Sequence, residues 1–211
     1  MKAELINVFG NDLMVVNAAR VSYGKSKDLF DEKDAKLIKY LVEHKHTAPF
    51  RHPQLQFRIE CPIFVERQLF KHQVGLSANS ISGRYVDFSD KYFSFTGLRK
   101  QSKSSKQGSE GILDRPDLIE KINNHIKASQ ILYKELCEAG NAKEQARAIL
   151  PLCLETQFIW TGSFLAFTHF WNLRLKSDTQ EETRILAGEM LHLVKNIEGN
   201  PFQHTIAAFG L

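Results

Sequence analysis

The chain has 211 residues, 43% of them hydrophobic and 25% charged, with a formal net charge of +4. That size suits one globular domain with a real core, and so modest a charge fits small anionic ligands at least as well as nucleic acid. No run approaches a membrane span and the start lacks the apolar region of a secretory signal, so a cytoplasmic protein is expected. Cys61, Cys137 and Cys153 form no CxxC pair, which points to reduced thiols and small hydrophobes, not to a disulfide frame or a zinc knuckle.

In chain order, residues 2–8 read as a strand and 12–21 as a helix. Asp31 can cap the next helix, whose apolar face is Leu37, Ile38, Leu41 and Val42. Leu55, Phe57 and Ile59 alternate with Gln56, Arg58 and Glu60, the period of a half-buried strand. Pro62 suits the first turn of a helix reaching Gln73. Phe93 and Phe95 suggest a further short strand, and residues 99–111, without an apolar member, read as a mobile surface loop.

The second half is mainly helical. Leu118, Ile122, Ile126, Ser129, Tyr133 and Leu136 mark one face of a long helix ending near Gly140. Asn141 with Glu144 resembles a capping box before a short helix that carries Arg147 and stops at Pro151. Leu154, Thr156, Phe158 and Trp160 alternate as a strand, and Thr161-Gly162-Ser163 turns into a helix reaching Leu173. Asp178 can cap the last long helix, with Ile185, Leu186, Met190, Leu193 and Ile197 facing inward. The fold class is α+β: a helix-rich single domain, residues 1–211, with a small antiparallel or mixed sheet.

The densest polar run is Lys71 to Tyr85. A core has little use for it, since each buried polar group needs a partner. Gln68, Lys71 and His72 are spaced i, i+3, i+4 and would share a helix face. Ser77, Asn79, Ser80, Ser82 and Arg84 follow, with Gly75 and Gly83 permitting a tight backbone whose N–H groups can bind an anion. Arg147 and Arg174 stand among apolar neighbours, where an arginine either pairs with a carboxylate or meets an anionic ligand. His44, His46, His52 and His72 match no zinc spacing, and no metal is expected. There is no P-loop, GxGxxG or GxSxG.

Taken together, Ala18-Ala19-Arg20-Val21-Ser22-Tyr23, His46 to His52, Phe57 to Pro62, Arg67 to His72, Ser77 to Tyr85, Ala146 to Pro151, Trp160 to Ser163 and Leu173-Arg174 resemble the flavin-dependent thymidylate synthases, over nearly the whole chain. The resemblance implies the thymidylate synthase-complementing fold and a homotetramer with FAD in sites built from several subunits. It implies NADPH as reductant, methylenetetrahydrofolate as carbon donor, dUMP as acceptor and no cysteine nucleophile. It assigns Gln68, Lys71, Ser80, Ser82, Gly83, Arg84, Arg147 and Arg174 to dUMP, with Arg174 catalytic at the uracil edge. Lys71, His72, Gln73, Asn79, Ser163 and His169 fall to FAD. No membrane or nucleic-acid partner is expected. Lys71 and Gln73 replace the arginines of the family's Arg-His-Arg, Ser80 stands where an acidic residue is usual, and Arg51 replaces the usual glutamate. Ser163 and Leu165 stand where many members have an asparagine and an arginine. Alternatives are a relative acting on another pyrimidine nucleotide, or a non-catalytic nucleotide- or single-strand-binding module.

Overall fold

The computed structural model describes residues 1–87, 90–104 and 108–211. In chain order its elements are β1 (Lys2–Phe9), α1 (Asp12–Arg20), α2 (Glu32–Glu43), β2 (Gln54–Pro62), α3 (Ile63–Leu69), β3 (Leu76–Ser80), β4 (Leu98–Gln101) and β5 (Ser109–Leu113). There follow α4 (Pro116–Glu138), α5 (Lys143–Ala146), β6 (Glu155–Ser163), α6 (Phe164–Arg174), α7 (Glu181–Lys195) and α8 (Gln203–Ala208). The main sheet has the order β1-β2-β6-β3, antiparallel throughout, and β4 pairs with β5 as a separate hairpin. The α+β class expected from the sequence is what is found.

Strand alternation decides which face the helices cover. Leu55, Phe57, Ile59 and Cys61 of β2 are buried, and Phe57 and Ile59 lie opposite Trp160 and Phe158 of β6. Residues directly opposite in an antiparallel pair point to the same face. Against that face pack Phe164, Phe167, Phe170 and Trp171 of α6 and Leu186, Met190 and Val194 of α7. The α6 helix is apolar almost all round, and such a helix belongs inside. The opposite face of the sheet is polar, closed by Arg58 to Glu4 (2.8 Å), Gln56 to Thr161 (2.9 Å) and Gln157 to Glu60 (2.9 Å). A smaller core joins Val15 and Val16 of α1 to Ile38 and Leu41 of α2, with Phe50 and Leu165.

Local chemistry sets the helix ends, not always where expected. Asp31 caps α2, accepting from the Lys33 and Asp34 N–H groups, and Asp34 completes a capping box. Asn141 makes no such box: α5 starts at Lys143 behind Ala142, and the Asn141 amide instead donates to Gln145 at 3.3 Å. Asp178 does not cap α7, which opens at Glu181 behind Gln180, and Ile185 is 54% exposed, not inward. Thr161-Gly162-Ser163 continues β6 instead of turning, because Leu76 and Ser77 of β3 pair with Gly162 and Thr161. Pro62 closes β2, and α3 ends at Leu69.

Two loop expectations change more. Phe93 and Phe95 form no strand; Tyr92 makes a single bridge to Leu154, and the two phenyl rings pack edge to face at 5.1 Å. Residues 99–111 were expected as a mobile loop, but β4 and β5 pair from Leu98–Leu113 to Gln101–Ser109. A ladder of backbone hydrogen bonds needs no apolar side chains, and composition alone cannot reveal it. Residues 105–107 of that expected loop lie outside the described residues. Among the described residues, no helix is long and apolar enough to cross a membrane.

Candidate active site

Three chain segments converge where α3 ends, where the following turn begins and where α6 ends. Arg174, the last residue of α6, donates from Nε to His72 Nε2 at 2.9 Å and from Nη2 to the Gln68 carbonyl at 3.3 Å. A guanidinium only donates, so Nε2 of His72 must accept and the ring carries its proton on Nδ1. Burial, and then the Arg174 charge, lowers the His72 pKa from 6.5 to about 4. The ring stands edge-on to Phe170 at 5.1 Å. The Gln68 side chain is tethered too: Thr183 Oγ1 donates to its Oε1 at 2.9 Å, and its Nε2 donates to Gln180 Oε1.

The turn from His72 into β3 is placed by two glycines. Gly75 has φ +74°, a conformation open to glycine at little cost, and its carbonyl accepts from Ser163 N at 3.2 Å. A Cβ on Gly162 would sit 2.4 Å from Leu76 Cδ2 and 2.5 Å from the Gly75 oxygen. Only the missing side chain lets β3 close onto β6 there.

Along β3 the alternation separates neighbours. Asn79, opposite Ile159, points to the polar face of the sheet, while Ser80, opposite Phe158, points to the helix-covered face. There Ser80 Oγ donates to Glu66 Oε1 at 2.8 Å. Burial raises the Glu66 pKa above its ordinary value, against the Ser80 bond. Glu66 was missed from sequence; the available signal was a carboxylate in the apolar opening of α3. Beyond β3, Ser82 Oγ accepts from Arg84 N (3.3 Å) and Nε (3.4 Å), and the Arg84 guanidinium lies 5.1 Å from the Tyr85 ring centroid. Gly83 is buried beside them.

The structure therefore joins Gln68, His72 and Arg174 directly. Ser82, Gly83 and Arg84 form a second, local group, and Arg147 is exposed in the turn after α5. Lys71, Gln73, Asn79 and His169 have exposed side chains. Ser163 is buried, and its oxygen caps α6 by accepting from Ala166 N at 3.2 Å. The i, i+3, i+4 face expected for Gln68, Lys71 and His72 does not form, since α3 ends before Lys71; Arg174 reunites Gln68 with His72 instead. Thr183 and Gln180 were also missed, because the start of α7 reads in sequence only as a helix opening. Among the described residues, no three His, Cys, Asp or Glu side chains gather as a metal site requires.

A helix-covered sheet carrying amide, imidazole and guanidinium groups at one interior edge is that of an α+β enzyme. The chain belongs to the flavin-dependent thymidylate synthase family, a family of methyltransferases: residues 4–198 match the family described as thymidylate synthase complementing protein. It is 39% identical over 191 residues to the flavin-dependent thymidylate synthase of Thermus thermophilus, covering 90% of this chain and 70% of that one. It is 40% identical over 196 residues to the enzyme of the same name from Kosmotoga olearia, covering 91% and 84%. The fold is similar to the crystal structure of a UMP/dUMP methylase, PolB of Streptomyces cacaoi, bound with 5-Br dUMP. That likeness has a TM-score of 0.87 at 27% identity, over 99% of this chain and 94% of that one.

Proposed function

We propose that the protein methylates C5 of dUMP, giving dTMP, with methylenetetrahydrofolate as carbon donor and NADPH as reductant of a bound FAD. The observation that carries this reading is the setting of Arg174. Two of its five N–H groups are fixed by His72 and Gln68, and the others remain for a ligand. A guanidinium held against the uracil edge stabilises negative charge at N3 and O2 as C5 becomes nucleophilic. Gln68 supports the same nucleotide through its amide. Arg84 and Arg147 suit its phosphate, Arg84 through a planar fork whose Nε now rests on Ser82. Glu66 supplies, from α3, a carboxylate beside Ser80, the position where the family usually carries one.

The donor chemistry fits a flavin. His72 keeps an Nδ1–H, and Lys71, Gln73, Asn79 and His169 offer exposed polar groups, with Lys71 the cation for a diphosphate. The Ser163 oxygen gives one lone pair to its cap, which leaves its hydroxyl proton and a second lone pair. When bound, FAD supplies the hydride chemistry. The cysteines do not fit a nucleophile's role: burial, then the Glu66 charge, pushes the Cys61 thiol up to about 12, and burial also raises Cys153. Three free thiols suit a reducing, cytoplasmic compartment, and a homotetramer would supply the residues that one chain keeps apart.

Purified protein given FAD, dUMP, methylenetetrahydrofolate and NADPH should form dTMP, and Arg174→Ala should lower turnover by at least about a hundredfold. Protein that takes up no FAD, or an Arg174→Ala variant with full turnover, would remove this reading. A second acceptor has a specific observation behind it. The same methylase, bound with 5-Br UMP, matches this chain with a TM-score of 0.84 at 26% identity. Product analysis with dUMP, UMP and dCMP supplied separately distinguishes the acceptors.

A further inference from the structure

The hydrogen bonds behind Gln68 run in one direction, and they start from a charge. Glu182, in the first turn of α7, is 6% exposed. Its Oε1 accepts from Arg99 Nη2 at 2.5 Å, and its Oε2 accepts from Gln180 Nε2 at 2.9 Å. Arg99 belongs to the hairpin, where its Nε donates to Ser109 Oγ at 2.9 Å across the strand pair. Burial would raise the Glu182 pKa, but the bonds from Arg99 and Gln180 bring it below the usual carboxylate range. An ionised carboxylate only accepts. Gln180 must therefore turn its NH2 towards Glu182, which leaves its Oε1 facing Gln68. Gln68 must then donate from Nε2 to Gln180, and its Oε1 receives the Thr183 hydroxyl at 2.9 Å. Thr183 alone could not impose this order, because a hydroxyl serves either as donor or as acceptor.

We propose that Glu182, paired with Arg99 of the hairpin, is a positioning residue that fixes which way round the Gln68 amide faces the nucleotide. The chain of bonds leaves Gln68 one N–H and one lone pair in a set order. A flipped amide would exchange donor for acceptor and set like against like. Arg99 and the hairpin, expected from sequence as a solvated loop, thereby acquire a part in substrate recognition. The inference rests on the reading of Gln68 as a nucleotide contact.

A double-mutant cycle on the FAD-loaded protein separates the two claims. The dissociation constant of dUMP is measured by calorimetry for the parent, Gln68→Ala, Glu182→Gln and the double variant, with a melting curve for each. Gln68→Ala should bind dUMP about tenfold more weakly, the worth of one binding hydrogen bond. Parental binding by that variant would overturn the reading of Gln68 itself. Glu182→Gln keeps the shape but lets the Gln180 amide turn over. It should weaken dUMP binding by about tenfold in the parent and by less than about twofold in the Gln68→Ala background. An equal loss in both backgrounds, or none in the parent, would overturn the positioning role while leaving Gln68 in place. Gln180→Met cuts the same chain of bonds and leaves the Arg99–Glu182 pair intact. It should give the same pattern, and it decides the matter where Glu182→Gln does not fold.

Discussion

Burial and a charged neighbour keep His72 neutral, and one hydrogen bond fixes its tautomer. Arg174 has no lone pair to offer, so Nε2 of His72 must stay unprotonated for the 2.9 Å contact to exist. Burial, and then the Arg174 charge, keeps the folded ring from taking a second proton until about pH 4, whereas its ordinary value is 6.5. Between those two values the unfolded chain binds more protons than the folded one. Stability accordingly falls as pH drops through that window, and this loss is absent above it. His72→Gln keeps an oxygen that can accept from Arg174 but cannot titrate. The drop in Tm between about pH 7 and about pH 5 should be smaller for His72→Gln than for the parent. Equal drops in the two proteins would mean that other groups carry the acid sensitivity. The same bond ties Arg174 to the charge of His72, because a protonated His72 would push Arg174 away from the position proposed for it at the nucleotide.

At the scale of the elements, the seam between β3 and β6 is the least forgiving part of the scaffold. A methyl group on Gly162 would be 2.5 Å from a backbone oxygen, and a backbone cannot move aside as the tip of a side chain can. Gly162→Ala should cost about 2 kcal/mol, the ordinary price of overpacking. For a chain of this length that is roughly 4–8 °C in Tm. An unchanged Tm would show that β3 can shift along β6, and the turn carrying His72 with it. The two central strands were legible in the sequence, since the alternation of Leu55, Phe57 and Ile59, and of Thr156, Phe158 and Trp160, gave β2 and β6 and their inner face, whereas β3 was not read as a strand. The Asp31 cap was legible because it depends on near neighbours. What could not be read depends on distant partners. Gly162 looks like a turn until β3 lies against it, and the β4–β5 ladder is made by backbone groups that composition does not report. The site divides in the same way. Gln68, His72 and Arg174 were individually legible, but their meeting depends on where α6 ends against the end of α3, and Gln180, Glu182 and Thr183 became visible only behind Gln68.

For the molecule as a whole, the chain does not by itself assemble all the residues assigned to dUMP. Arg174 is bonded to Gln68 and His72, whereas Arg84 is curled onto Ser82 and Tyr85, and Arg147 is exposed beyond α5. Large apolar side chains lie bare beside these groups: Val74 is 92% exposed and Tyr85 74%. Apolar surface next to an incomplete polar site is what a subunit interface leaves behind when one chain is viewed alone. In the proposed homotetramer, one subunit would bring the Gln68–His72–Arg174 group and another the Ser82–Gly83–Arg84 group. This has a direct consequence for inactive variants. Arg174→Ala and Arg84→Ala should each be inactive alone, but together they can form sites that contain both wild-type arginines. With random assembly at equal amounts, half of the subunit pairs are mixed, and each mixed pair restores one site of two. Co-expressed variants should therefore recover about a quarter of the parental turnover. If each site were built within one chain, every site would lack one arginine, and the mixture would be as inactive as its components.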